Sequence, residues 1–183
     1  MTQLGLLDRK RTILLVIDLQ ARLLEVMHAK DELVKNVNKL IAGAKVLGLP
    51  LLVSEQYPRG LGHTYQEIQL PDGTEVFEKL CFSCFLSEQM NERIRQLQPR
   101  SLILAGIESH ICVFKTALDA ISQGYEVHIA ADAVSSRKPY DKEIALQRLR
   151  LVGAYIATVE MLLFQLIDAA GNDEFRALSK III

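Results

Sequence analysis

Short, almost wholly apolar runs alternate along this chain with stretches whose apolar residues recur every three to four positions. That alternation leaves few folds open. TILLVID (12–18) is continuous and aliphatic, as in a strand buried on both faces. Leu33, Val37, Leu40, Ile41 and Ala44 follow at helical spacing, and Gly48 and Pro50 stop that helix. LPLLVS (49–54) reads as a second strand. From Glu55 to Gly73 the chain is loop-like, with Pro58, Gly60, Gly62 and Pro71 inside it; so long a loop in a compact domain is usually functional. TEVFEK (74–79) reads as a short third strand. Ser87 is placed to cap a helix carrying Met90, Ile94 and Leu97. SLILAG (101–106) is a strand, and Val113, Ala117, Ala120 and Ile121 mark the next helix, ended by Gly124. YEVHIAAD (125–132) is a strand, and Ala145, Leu149 and Val152 mark a helix closed by Gly153. AYIATV (154–159) is the last strand. Leu163, Leu166, Ile167 and Ala170 mark the last helix, closed by Gly171. Apolar strands alternating with helices predict an α/β fold, a three-layer α/β/α sandwich with a central parallel sheet and right-handed crossovers. No repeat, low-complexity segment or linker interrupts the pattern, so one domain is expected over 1–183. The apolar tail KIII (180–183) should pack on a neighbour or on its own domain.

Composition narrows the partners. The 21 basic and 22 acidic residues give a formal net charge of −1. No basic patch is present to attract nucleic acid or an anionic membrane; Asp8-Arg9-Lys10-Arg11 is short, contains an acid and reads as a solvated lead-in. ILLVI (13–17) is too short for a signal-peptide core, and no run approaches the roughly 18 apolar residues of a spanning helix. Three cysteines are an odd, low number for a secreted scaffold, which points to a reducing, cytoplasmic setting. Half the residues are hydrophobic, which suits a buried sheet and also subunit contacts.

Ligands of open α/β sheets bind beyond the carboxyl ends of the strands. Asp18 ends the first strand, Lys79 ends the third, and Cys112 lies where the strand 101–105 gives way to a helix. An acid, an amine and a thiol thus converge on one edge. A thiol attacks only as the thiolate, and its ordinary pKa is ~8.5. A helix N-terminus and an ammonium both stabilise that anion. A carboxylate is able to take the thiol proton and return it to a departing amine. N–H groups in the turn before Cys112 are suited to hold an oxyanion. These parts fit acyl transfer through a thioester, and so hydrolysis of an amide or related bond. Each residue also has a plainer reading: a buried thiol, a strand-end turn residue and a solvated lysine.

IDLQ (17–20), FEK (77–79) and GIESHICV (106–113) resemble, in order, three signature segments of the isochorismatase-like cysteine hydrolases. That family includes nicotinamidases and carbamoylsarcosine amidases. SEQYPRGLGHT (54–64) is similar to the isochorismatase domain-containing subgroup, DAVSSR (132–137) fits the family, and the likeness runs from about Thr12 to about Gly171. The resemblance implies a Rossmann-like fold and a catalytic triad on Asp18, Lys79 and Cys112. It implies a cis peptide before Glu108 that aims the Glu108 N–H at the oxyanion, alongside that of Cys112. It also implies a substrate site drawn from Gln20, Ile107 and Glu108, and an assembly of two or more copies. Isochorismatases proper lack the nucleophilic cysteine, so Cys112 argues against isochorismate hydrolysis. Nicotinamidases carry an Asp-x-His segment and further histidines that hold a metal. Here the stretch is Glu55-Gln56-Tyr57 with only His63 nearby, so no metal, no cofactor and no nicotinamidase activity are expected.

CFSC (81–84) forms a CxxC without the second pair that a zinc site needs; it reads as two packed thiols, with a redox pair as the alternative. His110 either caps the turn or touches substrate, and His28 and His128 read as incidental. Tyr57, Arg59 and His63 lie on the long loop, expected to lid the pocket. A small-molecule hydrolase leads these readings. A catalytically silent binding or scaffold protein and a thiol-redox protein are the alternatives. A dinucleotide site is disfavoured, because DLQARLL and not a glycine-rich turn follows the first strand.

Overall fold

The structure is a computed structural model that describes residues 5–183. The aliphatic runs become strands β1 (Thr12–Ile17), β2 (Leu51–Gln56), β3 (Glu75–Lys79), β4 (Ser101–Ile107), β5 (Glu126–Ser135) and β6 (Tyr155–Ala157). They pair in parallel in the order β3-β2-β1-β4-β5-β6. Helices α1 (Ala21–Leu24), α2 (Lys30–Leu47), α3 (Pro58–Leu61), α4 (Glu88–Leu97), α5 (Cys112–Ser122), α6 (Pro139–Leu151), α7 (Val159–Gln165) and α8 (Asp173–Ile182) connect and cover them.

Alternate residues of each strand face opposite ways, and β1 therefore feeds two cores. Leu14 and Val16 pack with α2, α7 and Leu178 of α8 on one face. Ile13, Leu15 and Ile17 pack with Met90 and Ile94 of α4, Val113 and Ala117 of α5, and Leu149 of α6 on the other. This is the three-layer α/β/α arrangement. Strand order reverses at β1: the chain runs outward to β2 and β3, then returns to β4 on the other side. A crevice beyond the strand ends is expected there.

β4 approaches β1 so closely that Gly106, at φ +115°, leaves no room for a side chain. A Cβ there would lie 2.0 Å from the Ile17 carbonyl oxygen. The β4–β5 register then jumps from Leu104↔Ile129 to Gly106↔Val134, which brings Ser135 and Ser136 beside the turn after β4.

Boundaries differ from expectation in four places, the first being β5, which runs on past Asp132 to Ser135. Glu55 and Gln56 extend β2, because they pair with Glu78 and Lys79 of β3. β6 stops at Ala157; Thr158 caps α7, its hydroxyl accepting from the Met161 N–H at 3.2 Å. The final helix ends at Gln165 and not near Ala170, and an unexpected α8 follows, begun by Asn172, whose side chain accepts from the Phe175 N–H at 2.7 Å. The tail packs on its own chain: Ile181 and Ile182 lie against the α2 core, while Ile183 is exposed.

Candidate active site

At the end of β1 the backbone turns into the left-handed region at Asp18 (φ +54°), a conformation that aspartate tolerates better than most residues. Its N–H donates to the Ser54 carbonyl at 3.0 Å. Its carboxylate is held at both oxygens: Ser54 Oγ donates to Oδ1 and Lys79 Nζ donates to Oδ2, each at 2.7 Å. Lys79 reaches in from the end of β3 and also donates to Gln56 Oε1 at 2.8 Å. The Asp18 and Lys79 side chains are 1% and 0% exposed, so solvent screens this pair little. Cys112 is the first residue of α5 and is 7% exposed. Its thiol contacts the Asp18 carboxyl and lies within the field of Lys79. The structure therefore brings Asp18, Lys79 and Cys112 together.

The electrostatics are those of a buried, coupled trio. Burial pushes the Asp18 carboxyl up, opposed by Lys79 and by hydrogen bonds from Ser54 and Cys112. Burial works against the Lys79 ammonium, but Asp18, Cys84 and Cys112, with the hydrogen bond to Asp18, together outweigh it and hold it protonated. Burial, then the neighbouring Asp18 charge, push the Cys112 thiol up, and Lys79 pulls it down. With the ammonium fixed, the site is neutral when Asp18 and Cys112 share one negative charge. Moving a proton between them leaves the net charge unchanged.

The turn joining β4 to α5 begins with a cis Ile107–Glu108 peptide. The Glu108 carbonyl accepts from the N–H groups of Ile111 (3.0 Å) and Val113 (3.2 Å). The Glu108 carboxylate accepts from the backbone N–H (3.0 Å) and Nε (3.1 Å) of Arg137. The N–H groups of Glu108 and Cys112 have no acceptor among the described residues. The Ile107 side chain is buried in the core. His110 Nδ1 lies 2.9 Å from Ser136 Oγ, which ties the turn to the end of β5.

Gln20 bridges the end of β2 and the long loop. It is 0% exposed, its Nε2 donates to the carbonyls of Gln56 and Gly62, and its Oε1 accepts from the Gln56 N–H at 2.7 Å. The long loop is pinned by Glu55: the Thr64 N–H and hydroxyl donate to Oε1, and His63 Nδ1 lies 2.9 Å from Oε2. Burial works to raise the Glu55 pKa, but the bonds from His63 and Thr64 hold it below its ordinary value. Among the described residues no group of three or more His, Cys, Asp or Glu is placed to hold a metal ion. Tyr57, Pro58 and Arg59 of the loop line a cavity of about 290 Å³ with Glu78, Lys79 and Leu80.

Ser54 and Gln56 escaped the sequence reading, and Cys84 was read as a packed thiol without a place in the site. Cys84 is fully buried, its Sγ 3.8 Å from Ser54 Oγ and its N–H bonded to Thr116 Oγ1; burial pushes its thiol up to about 11. Cys81 is half-buried, and neither cysteine is in a disulfide. The available signal was the period-2 pattern of β2: Ser54 and Gln56 share the alternate side of that strand with Leu52, on which a polar residue needs a partner.

Comparison with known proteins agrees with this architecture. The isochorismatase domain family model matches residues 12–161. A secreted isochorismatase effector, Isc1, of Phytophthora sojae is 38% identical over 98% of this chain and 88% of that protein. Isochorismatase domain-containing protein 1 of Danio rerio is 39% identical over 99% of this chain, which spans 64% of that relative's length. A solved structure titled MAR1 ribonuclease from Caenorhabditis elegans superimposes with a TM-score of 0.90 at 31% identity, covering 96% of this chain and 91% of that one. The chain belongs to the isochorismatase family, close to its domain-containing subgroup, and is by that membership a hydrolase of α/β fold.

Proposed function

We propose that the chain is a cysteine hydrolase that cleaves an amide-type C–N bond of a small molecule through a thioester. The observation that carries this reading is the convergence of Asp18, Lys79 and Cys112 in one buried, neutral site. Asp18 takes the proton of the Cys112 thiol, and the sulfur attacks the substrate carbonyl carbon. The oxyanion is held by the N–H groups of Glu108 and Cys112 and by the N-terminus of α5. Asp18 returns the proton to the leaving nitrogen as the C–N bond breaks, which leaves a thioester. Water then gives a proton to Asp18 and attacks the thioester carbonyl. Acid is released and the thiol is reprotonated. Lys79 stays charged throughout and stabilises whichever of Asp18 or Cys112 is the anion.

The cavity of about 290 Å³ is lined by Lys79 but not by Asp18 or Cys112, and its size suits a small molecule. An RNA substrate would need cationic groups along its path, whereas this site is neutral and sunk into the sheet. Cys112 argues against isochorismate as substrate. Engagement of Glu55 by His63 and Thr64, and of Gln56 by Lys79, argues against a metal-assisted nicotinamidase. Exposed Leu80, Phe82 and Leu86 support assembly of two or more copies.

Limited iodoacetamide followed by mass spectrometry tests the reading. Cys81 is the more exposed thiol, yet Cys112 should be alkylated first, and Asp18→Asn or Lys79→Ala should reverse that order. Labelling of Cys81 ahead of Cys112 in the unaltered protein would sink the proposal.

A further inference from the structure

We propose that Gln56 is a positioning residue that aims the Lys79 ammonium at the Cys112 sulfur while keeping the site neutral; this rests on the cysteine-hydrolase reading. An ammonium has three N–H directions in fixed tetrahedral relation. Asp18 Oδ2 takes one at 2.7 Å and Gln56 Oε1 takes a second at 2.8 Å. One acceptor alone would let the ammonium swivel about that bond. Two acceptors fix the third N–H direction; on this proposal the Cys112 thiolate takes it.

Gln56 is itself held at three points. Its N–H donates to Gln20 Oε1 at 2.7 Å, its carbonyl accepts from Gln20 Nε2 at 2.9 Å, and its side-chain Nε2 donates to the Leu80 carbonyl at 2.7 Å. The Leu80 bond needs an N–H and the Lys79 bond needs an oxygen, so only one orientation of the amide satisfies both. Gln20 is thus the anchor of the anchor.

The choice of an amide follows from charge. A carboxylate at this position would also bind Lys79, but would add a negative charge beside a sulfur that must become an anion. The titratable groups acting on Cys112 are Asp18 after β1, Lys79 at the end of β3 and Cys84 in the turn that follows. On its own turn, Glu108 is paired with Arg137, and His110 with Ser136 and Asp141.

The test is the pH dependence of Cys112 alkylation by iodoacetamide, with melting curves recorded alongside. Gln56→Glu should move the rise in rate to higher pH by about one unit, and so slow labelling about tenfold at a fixed pH below it. Gln56→Met removes the acceptor at similar volume; it should lower the rate several-fold with an unchanged melting curve, and it decides the matter should Gln56→Glu fail to fold. Profiles of these variants that superimpose on the parent, while Lys79→Ala displaces it, would overturn the role of Gln56 alone. A parent profile indifferent to Lys79→Ala would overturn the hydrolase reading and this inference together.

Discussion

Cys112 is almost closed to solvent, and the groups that would ionise it are closed entirely. On the proposed mechanism a thiol in that position passes its proton to Asp18 and not to water. Elsewhere a buried titratable group lacks even that outlet. His128 of β5 is 0% exposed and stacks on Tyr155 at 4.9 Å, and neither ring nitrogen has a hydrogen-bond partner among the described residues. Burial lowers its pKa from 6.5 to about 4. The unfolded chain therefore binds the proton first, and stability falls as pH drops from 6.5 towards 4. At pH 4.5 this costs on the order of 2 kcal/mol relative to pH 7. Urea titrations at both values should show that loss in the parent and a smaller one in His128→Phe. Sequence alone singled out Asp18, Lys79 and Cys112 because each stands at a strand end or helix start, where topology confers meaning. It did not single out His128, set in an aliphatic run, or Gln56, in a stretch that reads as loop. Their significance lies in what faces them across the fold.

Strands and long helices were legible from apolar spacing, since α2, α4 and α5 each bury a regular stripe. The C-terminal pair was not. Leu163, Leu166, Ile167 and Ala170 keep helical spacing past the point where α7 ends at Gln165, so periodicity alone could not locate the stop. The four-residue helices α1 and α3 are too short to show a period. Gly106 was legible as the end of a strand, but not as the point where β4 meets β1. There a Cβ would meet Ile17 backbone and not a movable side chain, and φ is +115°. Gly106→Ala should cost about 3 kcal/mol or more, lowering the melting temperature by roughly 10 °C. Calorimetry checks this, and a variant melting with the parent would refute the close approach of the two strands.

Across the whole molecule the two cores are closed by different means. α8 seals the α2 face through Leu178, which is 0% exposed, and through the Arg9–Glu174 ion pair at 2.9 Å. Leu178→Ala should cost roughly 2–4 kcal/mol and leave Cys112 alkylation as it was, because the thiol belongs to the opposite core; denaturant midpoints and labelling rates measured together check both halves of that statement. Lys79, by contrast, comes from β3, a border strand, where Glu75, Val76 and Glu78 face solvent and β2 is the single neighbouring strand in the sheet order. Borders fray at lower energy than centres. The ammonium thus hangs from an edge of the sheet that is ready to peel away, and mild loosening would silence the proposed chemistry while the rest of the fold stood intact.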